Sequence, residues 1–286
     1  VFRRPMIVGA KGTIGKAIRA EFRRSDIPVL GTSRNKQSCT RSDTQHLDLS
    51  NSTSIEQLDI SQISSVIFCA GMTGYRQCER EPIRSREINV IGLNLLNRKC
   101  SDAGIPITLI SSSAVFSDDC LNRSEGAPTS PTSEYGEQKS DQEKIVLSER
   151  SGRVIRLTKV LPDAAGLLAS WASSLRFGQR IDAFSDYYVS PLSYRTVASF
   201  VVKDTLREGA GVRHLSPDGQ LSYYELAGKI REFLGANGDV RPVLTKVNQG
   251  QRTRTLAKNT LLACDTEMSR QVCMHTEIQA ILRDLS

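Results

Sequence analysis

Tyr135 and Lys139 stand four residues apart in Ser133-Glu-Tyr-Gly-Glu-Gln-Lys139, a spacing that puts a phenol and an ammonium on one helix face. The phenol can give a proton to an oxygen that gains charge as a carbonyl is reduced, or remove one in the reverse direction. Its ordinary pKa of about 10 is high for that work, and a cation one turn away favours the phenolate. Upstream, Leu109-Ile-Ser-Ser-Ser-Ala-Val-Phe116 offers three hydroxyls, Ser111, Ser112 and Ser113, to polarise the same oxygen. The chain opens with Val8-Gly-Ala-Lys-Gly-Thr-Ile-Gly15, where Gly9, Gly12 and Gly15 recur every third residue. Gly9 suits a tight turn, Gly12 lets the backbone approach a pyrophosphate, and Gly15 lets a helix pack closely on a strand. Thr13 and Ile14 fall in the first turn of the helix that follows, whose unpaired N–H groups face the phosphates. A nucleotide-binding turn followed far downstream by a phenol and an ammonium points to hydride or proton chemistry on an alcohol or ketone.

Positioning these groups requires a layered scaffold. Met6 to Val8 reads as a buried first strand, Ile27 to Leu30 as a second, Val66 to Cys69 as a third, Ile107 to Ile110 as a fourth and Arg153 to Leu157 as a fifth. Between them lie helical stretches, one starting near Gly12 with Ile14, Ala17, Ile18 and Phe22 on its apolar side, then Glu87 to Ala103 and Ser133 to Ser148. Short apolar strands alternating with amphipathic helices predict an α/β fold: a parallel sheet with helices on both faces. After Pro162 the rhythm changes. Ala164 to Phe177 and Tyr194 to Leu206 read as helices, and Ile181 to Phe184 as extended. Ser222-Tyr-Tyr-Glu225 has capping-box spacing ahead of Leu226, Ile230 and Phe233. Val240 to Leu244 reads as extended and His275 to Leu285 as a last helix. The expected layout is a nucleotide-binding domain over residues 1–160 and a smaller C-terminal substrate lobe over 161–286, with crossovers between them.

The second strand runs into Gly31-Thr-Ser-Arg34. A site selective for NAD often places a carboxylate there. Ser33 and Arg34 instead suit a 2′-phosphate, with Arg34 pairing and Ser33 hydrogen-bonding, so NADP is the expected cofactor. Lys11 reinforces phosphate binding, and Pro162, after the fifth strand, should border the nicotinamide. The formal net charge of +7 is spread along the chain rather than grouped in a tail. That suits an anionic cofactor and an anionic small-molecule substrate and gives no nucleic-acid signal. Trp171, Arg176, Arg180 and Arg195 bring charge among apolar residues to the second lobe, as candidates for a substrate diphosphate. Seven scattered cysteines and three distant histidines give neither a disulfide framework nor a metal-ligand pattern, so no metal is expected. No apolar run approaches bilayer length, and no signal-like start is visible. A cytoplasmic enzyme, monomeric or homodimeric, without membrane or nucleic-acid partners, is the expectation.

The three-residue glycine spacing, Tyr135 and Lys139 together resemble the extended short-chain dehydrogenase/reductase superfamily, in its sugar-nucleotide-modifying branch. Ala70 to Pro82, Ser133 to Glu143, Asp186 to Pro191 and Gly219 to Leu234 are similar to segments of dTDP-4-dehydrorhamnose reductases and sugar epimerases. The resemblance implies a Rossmann-like sheet. It places Asp48 and Leu49 at the adenine edge and Cys69, Ala70 and Gly71 at the turn beside the cofactor. It makes Asn89 a brace for the active-site helix, counted here with the cofactor site. Matching Val115-Phe116 to the superfamily's Val-aromatic pair selects Ser112 as the polarising hydroxyl, with Ser113 in reserve. Ser112, Tyr135 and Lys139 are then the catalytic set. Tyr135 and Lys139 also border the cofactor, and Thr73, Ser112, Ser113 and Tyr135 the substrate. The activity implied is reduction of a keto-deoxysugar nucleotide, the alternatives being an epimerase, a dehydratase or a non-catalytic NADP-binding regulatory subunit. Ser113 stands where a dehydratase usually has an acid. Leu157-Thr-Lys-Val-Leu-Pro162 and Gln251 to Leu262 depart from the rhamnose-reductase pattern.

Overall fold

The computed structural model describes residues 3–39, 43–117, 120, 123–161, 166–245, 260–264 and 270–285. The first half runs β1 (Arg4–Val8), α1 (Thr13–Arg24), β2 (Leu30–Ser33), β3 (Thr44–His46), α2 (Ser52–Glu56), β4 (Ile63–Phe68), α3 (Tyr75–Arg80), α4 (Pro82–Arg86), α5 (Gly92–Asp102), β5 (Ile107–Ser112), α6 (Glu134–Leu147) and β6 (Arg153–Leu157). A π-helical turn, Glu87–Ile91, joins α4 to α5. The second half runs β7 (Lys159–Leu161), α7 (Leu167–Arg176), β8 (Ile181–Phe184), β9 (Tyr188–Val189), β10 (Pro191–Ser193), α8 (Tyr194–Thr205), β11 (Gly211–Pro217), β12 (Leu221–Ser222), α9 (Tyr223–Leu234), β13 (Val240–Val243), β14 (Arg270–Val272) and α10 (Met274–Arg283).

Eight strands form one sheet in the order β3-β2-β1-β4-β5-β6-β11-β14, and every pairing is parallel. Met6, Ile7, Val8, Val66, Ile67 and Phe68 are fully buried, because helices cover both faces of a parallel sheet. This is the α/β, Rossmann-like architecture. The sequence reading expects five of these strands. β3 is short and polar, and β11 hides its pattern by burying Arg213 and His214 within the sheet. The second strand lies later than Ile27 to Leu30. Asp26 has φ +54° and the Ile27 N–H donates to the Phe22 carbonyl, so the chain is still closing α1 when it reaches Ile27.

A smaller lobe is built on Leu168, Trp171, Leu175, Leu226, Ile230 and Ile281, with β8 paired to β13 and β9 to β12. The capping box at Ser222 and Glu225 starts α9. The chain beyond residue 160 also returns to the main sheet. Val197, Ala198, Val201 and Val202 of α8 share a core with Ile18 and Phe22 of α1, and β11 and β14 extend the sheet. The lobes are therefore interlaced. Strand order reverses between β1 and β4, which opens a crevice at their C-terminal ends.

Candidate active site

The crevice is a cleft of about 410 Å³. Val8, Gly9, Lys11 and Gly12 supply one wall, Thr32 to Asn35 the rim at the end of β2, Leu47 to Leu49 the floor, and Cys69 to Met72 with Ile88 the far end. Gly9 has φ +93°, and a Cβ there would sit 2.8 Å from the Ala70 nitrogen. At Gly15 a Cβ would press into the Gly9 carbonyl and lie 2.9 Å from Ala10 Cα. Only side-chain-free positions allow β1, α1 and the Ala70 loop to converge this closely. Gly12 caps α1 without any side-chain hydrogen bond, so the first-turn N–H groups, including those of Thr13 and Ile14, are open to an anion. A dinucleotide fits this cradle. Arg34 lies exposed at the rim. Burial alone would raise the Asp48 carboxyl, but hydrogen bonds from Ser50 and the nearby Arg34 and His46 charges hold it below its ordinary value.

Ser112, Tyr135 and Lys139, the catalytic candidates, meet just past the Met72 end. α6 starts at Ser133, whose Oγ accepts the Gly136 N–H at 3.1 Å. The helix buries Glu134, Gln138, Lys139, Gln142 and Glu143 beside Tyr135 and Val146, an unusual load of polar groups that demands partners. They are supplied. Lys139 Nζ donates to the Ile110 carbonyl at 2.8 Å and lies 5.9 Å from the Tyr135 ring centre. Burial pulls Lys139 down to about 8, against the opposing pull of Glu143. Burial raises the Tyr135 phenol, and a hydrogen bond with Ser112 works against that rise. The three serines separate here. Ser111 is buried and donates to Glu143 Oε1 at 2.5 Å. Ser113 is buried in a single turn over Ser113–Val115. Ser112 is half-buried and its Oγ accepts the Ala114 N–H. The hydroxyl facing the phenol is that of Ser112.

Asn89, in the π-helical turn, braces this arrangement. Its amide exchanges hydrogen bonds with the Met72 backbone at 2.8 and 2.9 Å and donates to Gln138 Oε1 at 2.6 Å. Gln142 Nε2 in turn donates to the Asn89 carbonyl at 2.5 Å. One residue thus ties the far end of the cleft to α6. π-turns often occur at such functional positions.

The RmlD substrate binding domain family matches residues 3–276. The chain belongs to that family. It is accordingly an NAD(P)-binding oxidoreductase of the extended short-chain dehydrogenase/reductase type, among NAD(P)-dependent sugar-modifying enzymes. Among curated relatives, the dTDP-4-keto-6-deoxy-D-glucose reductase of Streptomyces niveus is 26% identical over 246 residues, which are 83% of this chain and 81% of that protein. Methionine adenosyltransferase 2 subunit beta of Xenopus tropicalis is 25% identical over 255 residues, covering 84% and 75%. Among solved structures, dTDP-4-dehydrorhamnose reductase from Bacillus anthracis in complex with NADP superposes with a TM-score of 0.84 at 20% identity, covering 99% of this chain and 100% of that one. That likeness is one of fold.

On this family scaffold, Gly9, Lys11, Gly12, Ser33, Arg34, Asp48, Leu49, Cys69, Ala70 and Gly71 all line the cleft. Cys69 Sγ donates to the Val8 carbonyl at 3.2 Å, and burial pushes its thiol up to about 12, so it stays neutral. Thr73 is exposed in the loop leading to α3. Pro162 lies outside the described residues. The second-lobe residues are more dispersed. Trp171 is 7% exposed in the lobe's core, edge-on to Tyr223 with ring centres 6.1 Å apart. Arg176 donates to the Leu285 carbonyl, and Arg180 pairs with Asp239 at 3.4 Å. Arg195 is exposed in the first turn of α8. None of these four lines the cleft.

The structure adds residues that the sequence reading passed over. Thr32, Asn35, Leu47, Met72 and Ile88 line the cleft. Tyr75 packs edge-on against Tyr135 with ring centres 4.9 Å apart. An aromatic just after Gly74, inside the loop-and-helix segment already singled out, was the signal available for it. Among the described residues no group of three His, Cys, Asp or Glu could hold a metal ion, and no helix is long and apolar enough to cross a membrane.

Proposed function

We propose that the protein is an NADP-dependent reductase of a keto-deoxysugar nucleotide. The observation that carries this reading is the meeting of Ser112, Tyr135 and Lys139 at the end of a cleft shaped for a dinucleotide. A reduced nicotinamide bound there supplies the hydride that the carbonyl carbon accepts. Ser112 holds the carbonyl oxygen and shares its developing charge. Tyr135, kept protonated by its burial, transfers its proton to that oxygen as the alcohol forms. The Lys139 ammonium stabilises the phenolate left behind. In this reading Arg34 and Ser33 hold a 2′-phosphate, while Lys11 and the start of α1 hold the pyrophosphate. The sugar nucleotide lies between the lobes. The similarity to a named keto-deoxysugar reductase supports the substrate class.

A second reading is favoured by the nearly equal similarity to methionine adenosyltransferase 2 subunit beta: a cofactor-loaded subunit of a larger assembly. A panel of keto-sugar nucleotides, followed for NADPH oxidation with product identification, separates the two. Stoichiometric NADPH consumption with an alcohol product supports the reductase. A cofactor-loaded protein that turns over nothing on the panel favours the subunit.

A further inference from the structure

Tyr75 is the residue at this site that the catalytic set leaves without a task. It opens α3 directly after Gly74, and its ring meets that of Tyr135 edge-on, 4.9 Å between centres and 60° between planes. With Met72, Cys78, Ala114 and Tyr135 it forms a small apolar cluster. The platform beneath it is rigid. Glu79 of α3 accepts the Glu134 N–H at 2.8 Å, fixing α3 to the start of α6, and Cys78 Sγ reaches the Met72 carbonyl. The Tyr75 phenol also lies beside Ser112, and burial raises it so that it stays neutral. Ser112 therefore faces two phenols. Tyr223 of α9 is near enough to Tyr75 to oppose its ionisation, and its ring centre lies 5.4 Å from that of Tyr187, tilted, and 6.1 Å from that of Trp171, edge-on. Aromatic rings thus stand both against the Tyr135 phenol, at Tyr75, and in the second lobe, at Tyr223 with Tyr187 and Trp171.

Resting on the reductase reading above, we infer that Tyr75 is a specificity-determining residue. Its ring forms the wall against which the substrate's sugar ring lies, and its hydroxyl joins Ser112 in holding the carbonyl oxygen. A bulky ring at this place admits a substrate only where the carbons flanking its carbonyl carry small groups, which suits a deoxysugar. Aromatic faces suit the C–H surface of such a ring.

The test uses the full chain loaded with NADPH, with Tyr75→Phe and Tyr75→Val measured on keto-sugar nucleotides that differ in bulk beside the carbonyl. Tyr75→Phe is expected to lower kcat/KM by roughly 10–100-fold, mainly through kcat, because the lost donor serves an oxygen that gains charge in the transition state. NADPH affinity should stay within about twofold, since the cofactor cleft does not include Tyr75. Tyr75→Val is expected to raise the relative kcat/KM for bulkier substrates by about 10-fold, reordering the panel. Wild-type kcat/KM in Tyr75→Phe together with an unchanged rank order in Tyr75→Val overturns the proposal. So does a uniform loss in Tyr75→Val beside a wild-type Tyr75→Phe, the mark of a packing role alone. A wild-type protein inactive on the whole panel defeats the reductase reading itself, and this inference with it.

Discussion

The two lobes carry their positive character in different ways. In the first, recognition is built into the backbone. Gly9 and Gly15 let β1, α1 and the Ala70 loop converge, and the uncapped start of α1 presents N–H groups with no side chain to order. In the second, charge sits on long side chains already engaged elsewhere, as Arg176 with the Leu285 carbonyl and Arg180 with Asp239. A backbone cradle is preorganised and loses little entropy when a ligand binds. An exposed ion pair is weakly held and adjusts at little cost. The nucleotide-binding half is thus the fixed part of this chain, and the second lobe the part open to change.

The largest effect expected in the fixed half is that of Tyr135→Phe. The ring and its contact with Tyr75 remain, and the proton donor goes. Turnover should fall by roughly 10²–10⁴-fold with NADPH binding retained, and near-normal turnover in a folded, saturated variant would remove Tyr135 from the chemistry. Gly15→Ala should be the most damaging change in the cradle, since its methyl meets the Gly9 carbonyl and Ala10 backbone. Thermal unfolding should show a loss of about 2–4 kcal/mol, with cofactor affinity reduced as well. A variant of unchanged melting temperature would show the turn to be softer than the backbone account requires.

Cofactor choice comes next. Arg34→Ala should weaken NADPH by about 1.5–3 kcal/mol and leave NADH nearly unchanged in direct binding. Equal wild-type affinities for the two would end the claim to 2′-phosphate recognition. The pH dependence has a definite sign. Lys139 is held at about 8 by burial, so it is cationic below that pH and neutral above it. The Tyr135 phenol is raised and keeps its proton through the same range. Reduction should therefore decline as pH rises through about 8, approaching tenfold per unit, and Lys139→Arg should flatten that limb. The smallest effect belongs to the adjustable lobe. Arg180→Ala should alter stability by no more than about 0.5 kcal/mol and kcat/KM by no more than about twofold. A larger kinetic loss would return Arg180 to the substrate site expected from the sequence.

The same contrast explains what could be read from the sequence. Glycines at fixed spacing after an apolar strand report backbone geometry directly, so Gly9, Gly12 and Gly15 led to the cleft. Tyr135 and Lys139 share a helix, and one turn of α6 sets their relation whatever surrounds them. Ser112 needed more. Three adjacent serines look alike until Ser111 is found on Glu143 and Ser113 inside its turn. β11 escaped notice because its buried positions include Arg213 and His214, paired with Asp204 and with the Ala263 carbonyl in three dimensions only. Tyr75 and Tyr223 lie far apart in sequence, and only the folded chain brings their phenols near one another. In the second lobe, Trp171 and its neighbouring arginines have the composition of a binding surface. Their core packing, ion pairs and backbone contacts depend on α7, α9 and α10 folding together.

The central claim is that hydride passes from the cofactor to a ketone while Tyr135 supplies the proton. Single turnover with NADPH deuterated at nicotinamide C4, on a nucleotide-bound keto-deoxysugar, tests it most directly. The account predicts deuterium on the former carbonyl carbon, one NADP⁺ formed for each alcohol, and loss of the transfer in Tyr135→Phe. A sugar product formed without label and without NADPH consumption would contradict it.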